Sequence, residues 1–152
     1  MPSSVPDGAA QPPQPRRCGD VFGEEGRGAG LTLTGSFPER VRATERTFEA
    51  SVTVGNASDA RVEVLAASAP DVYVTRSRKI VATPLVRDQL GRRLALAPGE
   101  AREFSAGGSL RRCTDGRPLP PGRYEIHAVL VIVAADGIAE AVGGPWSLEI
   151  SE

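Results

Sequence analysis

The sequence predicts an all-β protein, an antiparallel β-sandwich of about eight strands, and three observations carry that expectation. Apolar and polar residues alternate with period two through most of the chain after residue 30. Clusters of Gly, Pro, Asn and Asp interrupt that alternation at intervals of roughly 8–12 residues. The composition agrees: 152 residues include 17 Gly and 13 Pro, with 40% hydrophobic but only 5% aromatic residues. Many turns, few helices and a core of Val, Leu, Ile and Ala are the consequence. The length suits one domain.

Residues 1–17 (MPSSVPDGAAQPPQPRR) read as a flexible Pro-rich tail or tether. They lack the apolar content that would offset the entropy of ordering. The single domain is expected over residues 18–152. Residues 18–30 are Gly-rich, although Val21 and Phe22 could dock if Cys18 holds them near the body. From Leu31 the period-two pattern starts, with Leu31, Leu33 and Phe37 against Thr32, Thr34 and Ser36. The next strand places Phe48, Ala50, Val52 and Val54 on one face and Thr47, Glu49, Ser51 and Thr53 on the other. Such strict alternation marks a sheet with one buried and one wet face. The stretch 55–59, GNASD, reads as a turn, and Asn56-Ala57-Ser58 within it matches a glycosylation sequon. Val62 and Val64 point inward from the following strand. Shorter strands are expected over 72–75 and 79–83, with Pro84 placing the second at an edge or bend. Residues 85–93 leave room for one helical turn.

Leu94 and Leu96 precede an Ala97-Pro98-Gly99-Glu100 turn, and Ala101 to Ser105 follows with Phe104 as its anchor. Then comes SLRRCTDGRPLPPGRYEIHAVLVIV, in which a Cys-bearing loop leads through Pro-Pro-Gly-x-Tyr into the longest apolar strand. That order is the one expected in the last third of an immunoglobulin-like sandwich of Greek-key type. Tyr124 stands where a tyrosine corner would, its hydroxyl bonded to nearby backbone. Tyr124, Ile126, Ala128, Leu130 and Ile132 share one face of this strand. The other face begins polar and ends with Val129, Val131 and Val133, so the second half is expected to be covered on both sides, by the N-terminal segment or by a partner. Asp136-Gly137 signals a hairpin. Gly143-Gly144-Pro145 reads as a bulge or kink, and Trp146, Leu148 and Ile150 alternate through the last strand. Phe48, Tyr124 and Trp146 are the expected structural aromatics.

The two cysteines, Cys18 and Cys113, form no metal-ligand spacing and have no His neighbours. A disulfide between them would tie the N-terminal segment to the loop before Tyr124. Closing so long a loop is worth roughly 4–5 kcal/mol in the chain-entropy model. It would also imply an oxidising compartment. Two buried free thiols are the alternative, and they would leave a cytoplasmic home equally open. Residues 1–4 lead into polar sequence without an apolar leader, and no segment approaches transmembrane length. The expectation is a mature secreted or envelope-anchored protein whose leader has been removed.

Net charge is −1, yet charge is unevenly spread. Residues 1–75 carry seven Arg against ten acids, residues 76–123 eleven Lys+Arg against four, and residues 124–152 five acids and no Lys or Arg. Lys79 is the single lysine, a composition suggesting a high-GC genome. The candidate binding residues lie in the basic block: Arg76, Arg78 and Lys79 near an edge strand, then Arg111, Arg112 and Arg117 around Cys113, with Arg87, Arg92 and Arg93 between. Converging, they would attract an anionic polymer; as edge charges they would merely prevent strand aggregation. Aromatics do not interleave with them, so a nucleic-acid groove is not expected. No catalytic residue is assigned. His127 is the one histidine and lacks a nucleophile motif. Asp20, Glu24 and Glu25 sit in loop-like sequence, and neither metal-loop nor phosphate-loop spacing occurs, so no metal or cofactor is expected.

The steps Leu96-Ala97-Pro98-Gly99-Glu100 to Phe104, Pro118-Leu119-Pro120-Pro121-Gly122-Arg123-Tyr124 and Gly144-Pro145-Trp146-Ser147-Leu148-Glu149-Ile150 resemble the bacterial intracellular proteinase inhibitor family. The whole chain is similar to secreted immunoglobulin-like proteins of high-GC Gram-positive bacteria built on that domain. The resemblance implies a small sandwich over residues 31–151 and carries over no inhibitory residue. The functional expectation is a non-catalytic extracytoplasmic binding or accessory domain that engages a protein of the cell envelope. Two alternatives stand beside it: proteinase inhibition through the proline-braced loop Thr114 to Pro121, and adhesion to anionic wall polymer through the arginines.

Overall fold

The structure, a computed structural model, describes residues 16–23, 30–86, 91–135 and 137–152. One sheet is three-stranded and antiparallel, in the order β1 (Leu31–Ser36), β3 (Thr47–Asn56), β8 (Ala101–Ser109). The facing sheet runs β2 (Arg40–Arg42), β10 (Gly137–Ser151), β9 (Gly122–Ala134), β4 (Val62–Ala66), β7 (Arg92–Leu96). β5 (Asp71–Arg76) extends this sheet beside β9, and β6 (Lys79–Ala82) pairs with β5. β2 lies parallel to β10, and every other pairing is antiparallel. β3 pairs with β8 across four intervening strands, and β9 stands between β10 and the β4–β5 run. This is a Greek-key, immunoglobulin-like β-sandwich, as the sequence predicts.

The period-two residues fill the space between the sheets. Phe48, Val52 and Val54 are buried from β3, and Tyr124, Ile126, Ala128, Leu130 and Ile132 from β9. Each such aliphatic side chain stabilises the fold by roughly 1.5–3 kcal/mol. Phe48 lies across Gly108: a Cβ there would stand 2.3 Å from Phe48 Cζ. Trp146 stacks on Phe37 with ring centroids 4.6 Å apart and is half-buried where β1 meets β10.

Several elements differ from the sequence reading, each for a physical reason. β2 was not expected, because with Val41 alone pointing inward it is too short to show alternation. Asn56 belongs to β3 rather than to a turn. Its buried amide donates to Ala60 O and Leu96 O and accepts from Ser58, so the side chain, not exposure, satisfies it. β8 runs on to Ser109, and Gly108, paired with Phe48, leaves room for its ring. The two C-terminal strands are one, β10, with a bulge between Gly143 and Trp146 and a cis Gly144–Pro145 bond inside it.

Cys18 and Cys113 are bonded, 95 positions apart. Residues 19–22 run along β6: Gly19 N donates to Ile80 O at 2.8 Å, Ile80 N to Asp20 O at 2.8 Å, and Phe22 N to Arg78 O at 2.9 Å. The edge implied by Pro84 is therefore covered. Phe22, only 5% exposed, clusters with Tyr73, Ile80 and Val129 on the outer face of the second sheet. The apolar half of β9 is covered only in part. Val129 lies buried in that cluster and Val131 is half-buried, whereas Val133 is 46% exposed beside its exposed strand partners Leu65 and Ile138. The packed body also begins earlier than Cys18, because Arg16 reaches the Glu140 carboxylate. Residues 1–15, Glu24, Glu25, Arg87 and Asp136 lie outside the described residues.

Candidate functional site

An open groove of about 930 Å³ crosses the outer face of the second sheet at the end where β9 begins. Alternation along β9 and β10 turns Arg123, Glu125, Ser147 and Glu149 outward to line it. On one side stands the β5–β6 hairpin, with Arg76, Ser77 and Arg78. On the far side of β9, Phe37, Pro145 and Trp146 line it. Below Trp146, small residues were required: Cβ atoms on Gly35, Gly143 or Gly144 would stand within 3.2 Å of the indole.

The hairpin turns through Ser77 and Arg78, at φ 51° and 70°. Two left-handed residues give the twist that a two-residue hairpin needs. Glycine or asparagine would adopt these angles with less steric cost. Arginine therefore sits at this groove where the backbone disfavours it, and such outliers cluster at functional positions.

Arg76 is held differently. Its guanidinium lies 5.2 Å from the Tyr124 ring centroid and donates to the Tyr124 hydroxyl at 3.3 Å. The Tyr124 hydroxyl in turn donates to Pro120 O, which is the tyrosine corner the sequence indicates. Gly122, at φ 152°, leaves the notch the guanidinium fills, since a Cβ there would be 3.1 Å from Arg76 Nη2.

The other basic residues are placed apart from the groove lining. The loop after β8 folds on itself: Arg112 N donates to Arg117 O at 2.7 Å and Gly116 N to Arg112 O at 2.7 Å. Asp115 accepts from the Arg112 guanidinium and from Arg117 N. The Arg112 hydrogen bond, then Arg117 N, hold the Asp115 carboxyl below the usual carboxylate range. Arg111 donates to Gly116 O. Cys113 N donates to Val81 O, so this loop abuts β6 while Lys79 caps the same strand. Of the six candidate basic residues, Arg76 and Arg78 reach the groove. Lys79, Arg111, Arg112 and Arg117 do not line it.

Sequence reasoning missed Phe37, Glu39, Arg123 and Glu125, whose only signal was an outward position in an alternating strand or a place in a connection. The lining holds three arginines (76, 78, 123) and three glutamates (39, 125, 149), and Glu149 pairs with Arg40 at 3.0 Å. Charges of both signs at close quarters suit a polar, structured ligand better than a uniformly anionic chain. His127 is buried, stacked under Phe22 at 4.1 Å, with Nε2 3.2 Å from Thr75 Oγ1. Among the described residues, no group of three His, Cys, Asp or Glu could hold a metal ion, and no helix is long and apolar enough to cross a membrane.

No family model matches the chain, and no curated protein matches it. Among solved structures it is similar to a β-glucosidase from Listeria innocua, at 16% identity and TM-score 0.42, over 80% of this chain and 16% of that one. It is also similar to native α2-macroglobulin from Escherichia coli, from domain MG7 to the C-terminus, at 17% identity and TM-score 0.48, over 79% of this chain and 16% of that one. A third is a CARDB domain from Pyrococcus furiosus in complex with di-metal ions, at 16% identity and TM-score 0.44, over 86% of this chain and 97% of that one. This chain thus spans about a sixth of the length of the first two, and its fold rests on its own strand order.

Proposed function

We propose that this domain is a non-catalytic binding module that works outside the cytoplasm, docking a protein of the cell envelope in the groove between the Arg76–Arg78 hairpin and Trp146. One observation carries the reading: Arg78 is kept in a left-handed backbone conformation at a groove of mixed charge. Non-glycine residues in such conformations cluster at functional positions, which supports a role for Arg78 beyond stability. The disulfide between Cys18 and Cys113 supports an oxidising compartment. The resemblance to secreted proteins of high-GC Gram-positive bacteria belongs to the same proposal.

The test is co-sedimentation of the full chain with envelope from such a bacterium at low and high salt. Wild type should stay bound at high salt, and the exposed charge reversals Arg78→Glu and Glu125→Arg should each abolish binding. Retention by both variants would overturn the groove as the docking site. Binding lost at high salt would instead favour adhesion to an anionic polymer.

The proteinase-inhibitor reading keeps one specific observation. The loop 111–118 is braced by the Arg112–Arg117 and Arg112–Asp115 contacts, with Thr114 to Pro118 exposed. A loop already ordered loses little entropy on entering a protease cleft. Assays against serine, cysteine and metalloproteases at micromolar chain test it, and no inhibition in any class removes it.

A further inference from the structure

Residues 16–23 lie on the second sheet as a bound peptide would. They add to the edge of β6 through three main-chain hydrogen bonds, involving Gly19, Asp20 and Phe22. Phe22 is the anchor, with ring centroids 5.4 Å from Tyr73 and 4.1 Å from His127, and it packs with Ile80 and Val129. Arg16 lies 4.9 Å over the Phe22 ring and reaches Glu140. Strand addition with an aromatic anchor in a pocket is a recurring mode of peptide recognition.

None of the ten strands includes these residues. Their covalent tie runs through Cys18 to Cys113, and Cys113 is held to the body on its own account by the bond from its N–H to Val81 O. Beyond the chain itself, which runs on from Gly23 towards β1, this disulfide is the one covalent bond between the cover and the sandwich among the described residues, and it is reversible. We propose that this face is a docking site for an extended segment carrying an aromatic anchor, occupied in cis by residues 16–23 and gated by the Cys18–Cys113 bond. A dithiol reductant opens the gate. Its thiolate attacks one cystine sulfur and forms a mixed disulfide, and its second thiol resolves that bond. Two electrons and two protons pass to Cys18 and Cys113, which leave as thiols, while the reductant becomes its own disulfide. The cis segment can then exchange with an extended segment of another chain. This site meets the groove at Arg78, whose carbonyl accepts from Phe22 N, but the proposal stands without the reading of the groove.

The test uses full-length chain with Phe22→Ala, which weakens the cis occupant, and a labelled synthetic peptide of residues 16–23 with Cys18→Ser. The reduced chain should bind this peptide roughly tenfold or more tightly than the oxidised chain, and a peptide also carrying Phe22→Ala should lose that binding. Trp146 fluorescence should report an intact sandwich in both states. Equal peptide binding in the two redox states would overturn the gate. No binding in either state would overturn the docking site. Unfolding of the sandwich on reduction would overturn the proposal too, because the disulfide would then hold the body rather than the cover.

Discussion

Arg16 and Glu140, 124 positions apart, close an ion pair at 2.8 Å with side chains only 9% and 11% exposed. Losing one partner of such a pair leaves the other charge short of both water and counter-charge. With the disulfide intact, Arg16→Ala should cost about 2 kcal/mol in urea unfolding. The double change Arg16→Met with Glu140→Leu should recover most of that loss, since two apolar side chains of similar volume carry no desolvation penalty. A double variant no more stable than Arg16→Ala would contradict the assignment.

Tyr73 gives the cover a pH limit. Burial first, then the nearby Asp71, push its phenol above the ordinary tyrosine value, with Arg16 offsetting part of the shift. The neutral phenol is the form the fold prefers. Its contribution to stability is therefore complete below the ordinary value of about 10 and is lost as pH rises through the folded one. Tyrosinate absorbance should show a late-titrating group that Tyr73→Phe removes, and faster amide exchange at Gly19 and Phe22 should accompany it.

Tyr124→Phe deletes one hydroxyl with two partners, Pro120 O as acceptor and Arg76 as donor. The expected loss is about 1 kcal/mol, with a larger loss of order in the Arg76 side chain. Thermal unfolding reads the first effect, and crystallographic displacement parameters read the second. Unchanged order at Arg76 would mean that the ring and the Gly122 notch alone position it.

Two glycines separate two kinds of cost. Gly108→Ala would place a methyl against Phe48, and overpacking of this kind costs about 1–3 kcal/mol. Gly99 has open space around it but sits at φ 80°, so Gly99→Ala should cost on the order of 1 kcal/mol from the backbone alone. Adding Phe48→Leu should rescue part of the first loss and none of the second, as paired denaturation curves would show.

The core was legible in the sequence wherever side chains alternate over enough residues to reveal a face. Phe48, Val52 and Val54 are an example, and so is the inward row from Tyr124 to Ile132. The tyrosine corner was legible because Pro-Pro-Gly-x-Tyr fixes a local geometry. The expected second cover over Val129 to Val133 is present at Val129 and absent at Val133, because the reach of Phe22 depends on where Cys18 is pinned. The groove was half legible. Arg76 and Arg78 stood out as charges near an edge, whereas Arg123 and Glu125 looked like any solvated strand residues until β5 and β10 were placed beside them. The Arg16–Glu140 pair was not legible, because nothing local to either residue identifies a partner 124 positions away.

β10 contributes fifteen residues and touches β2 on one side and β9 on the other, with Glu149 to Ser151 paired to Arg40 to Arg42. During synthesis β2 therefore waits unpaired until its partner residues on β10, 109 positions later, have emerged. Sheets completed by such distant pairings form slowly and leave strand edges open to the wrong neighbour. A premature stop before Trp146 would remove the segment that pairs with the first half of β9 and with β2. Shortened chains should accordingly aggregate rather than persist as looser versions of the same domain.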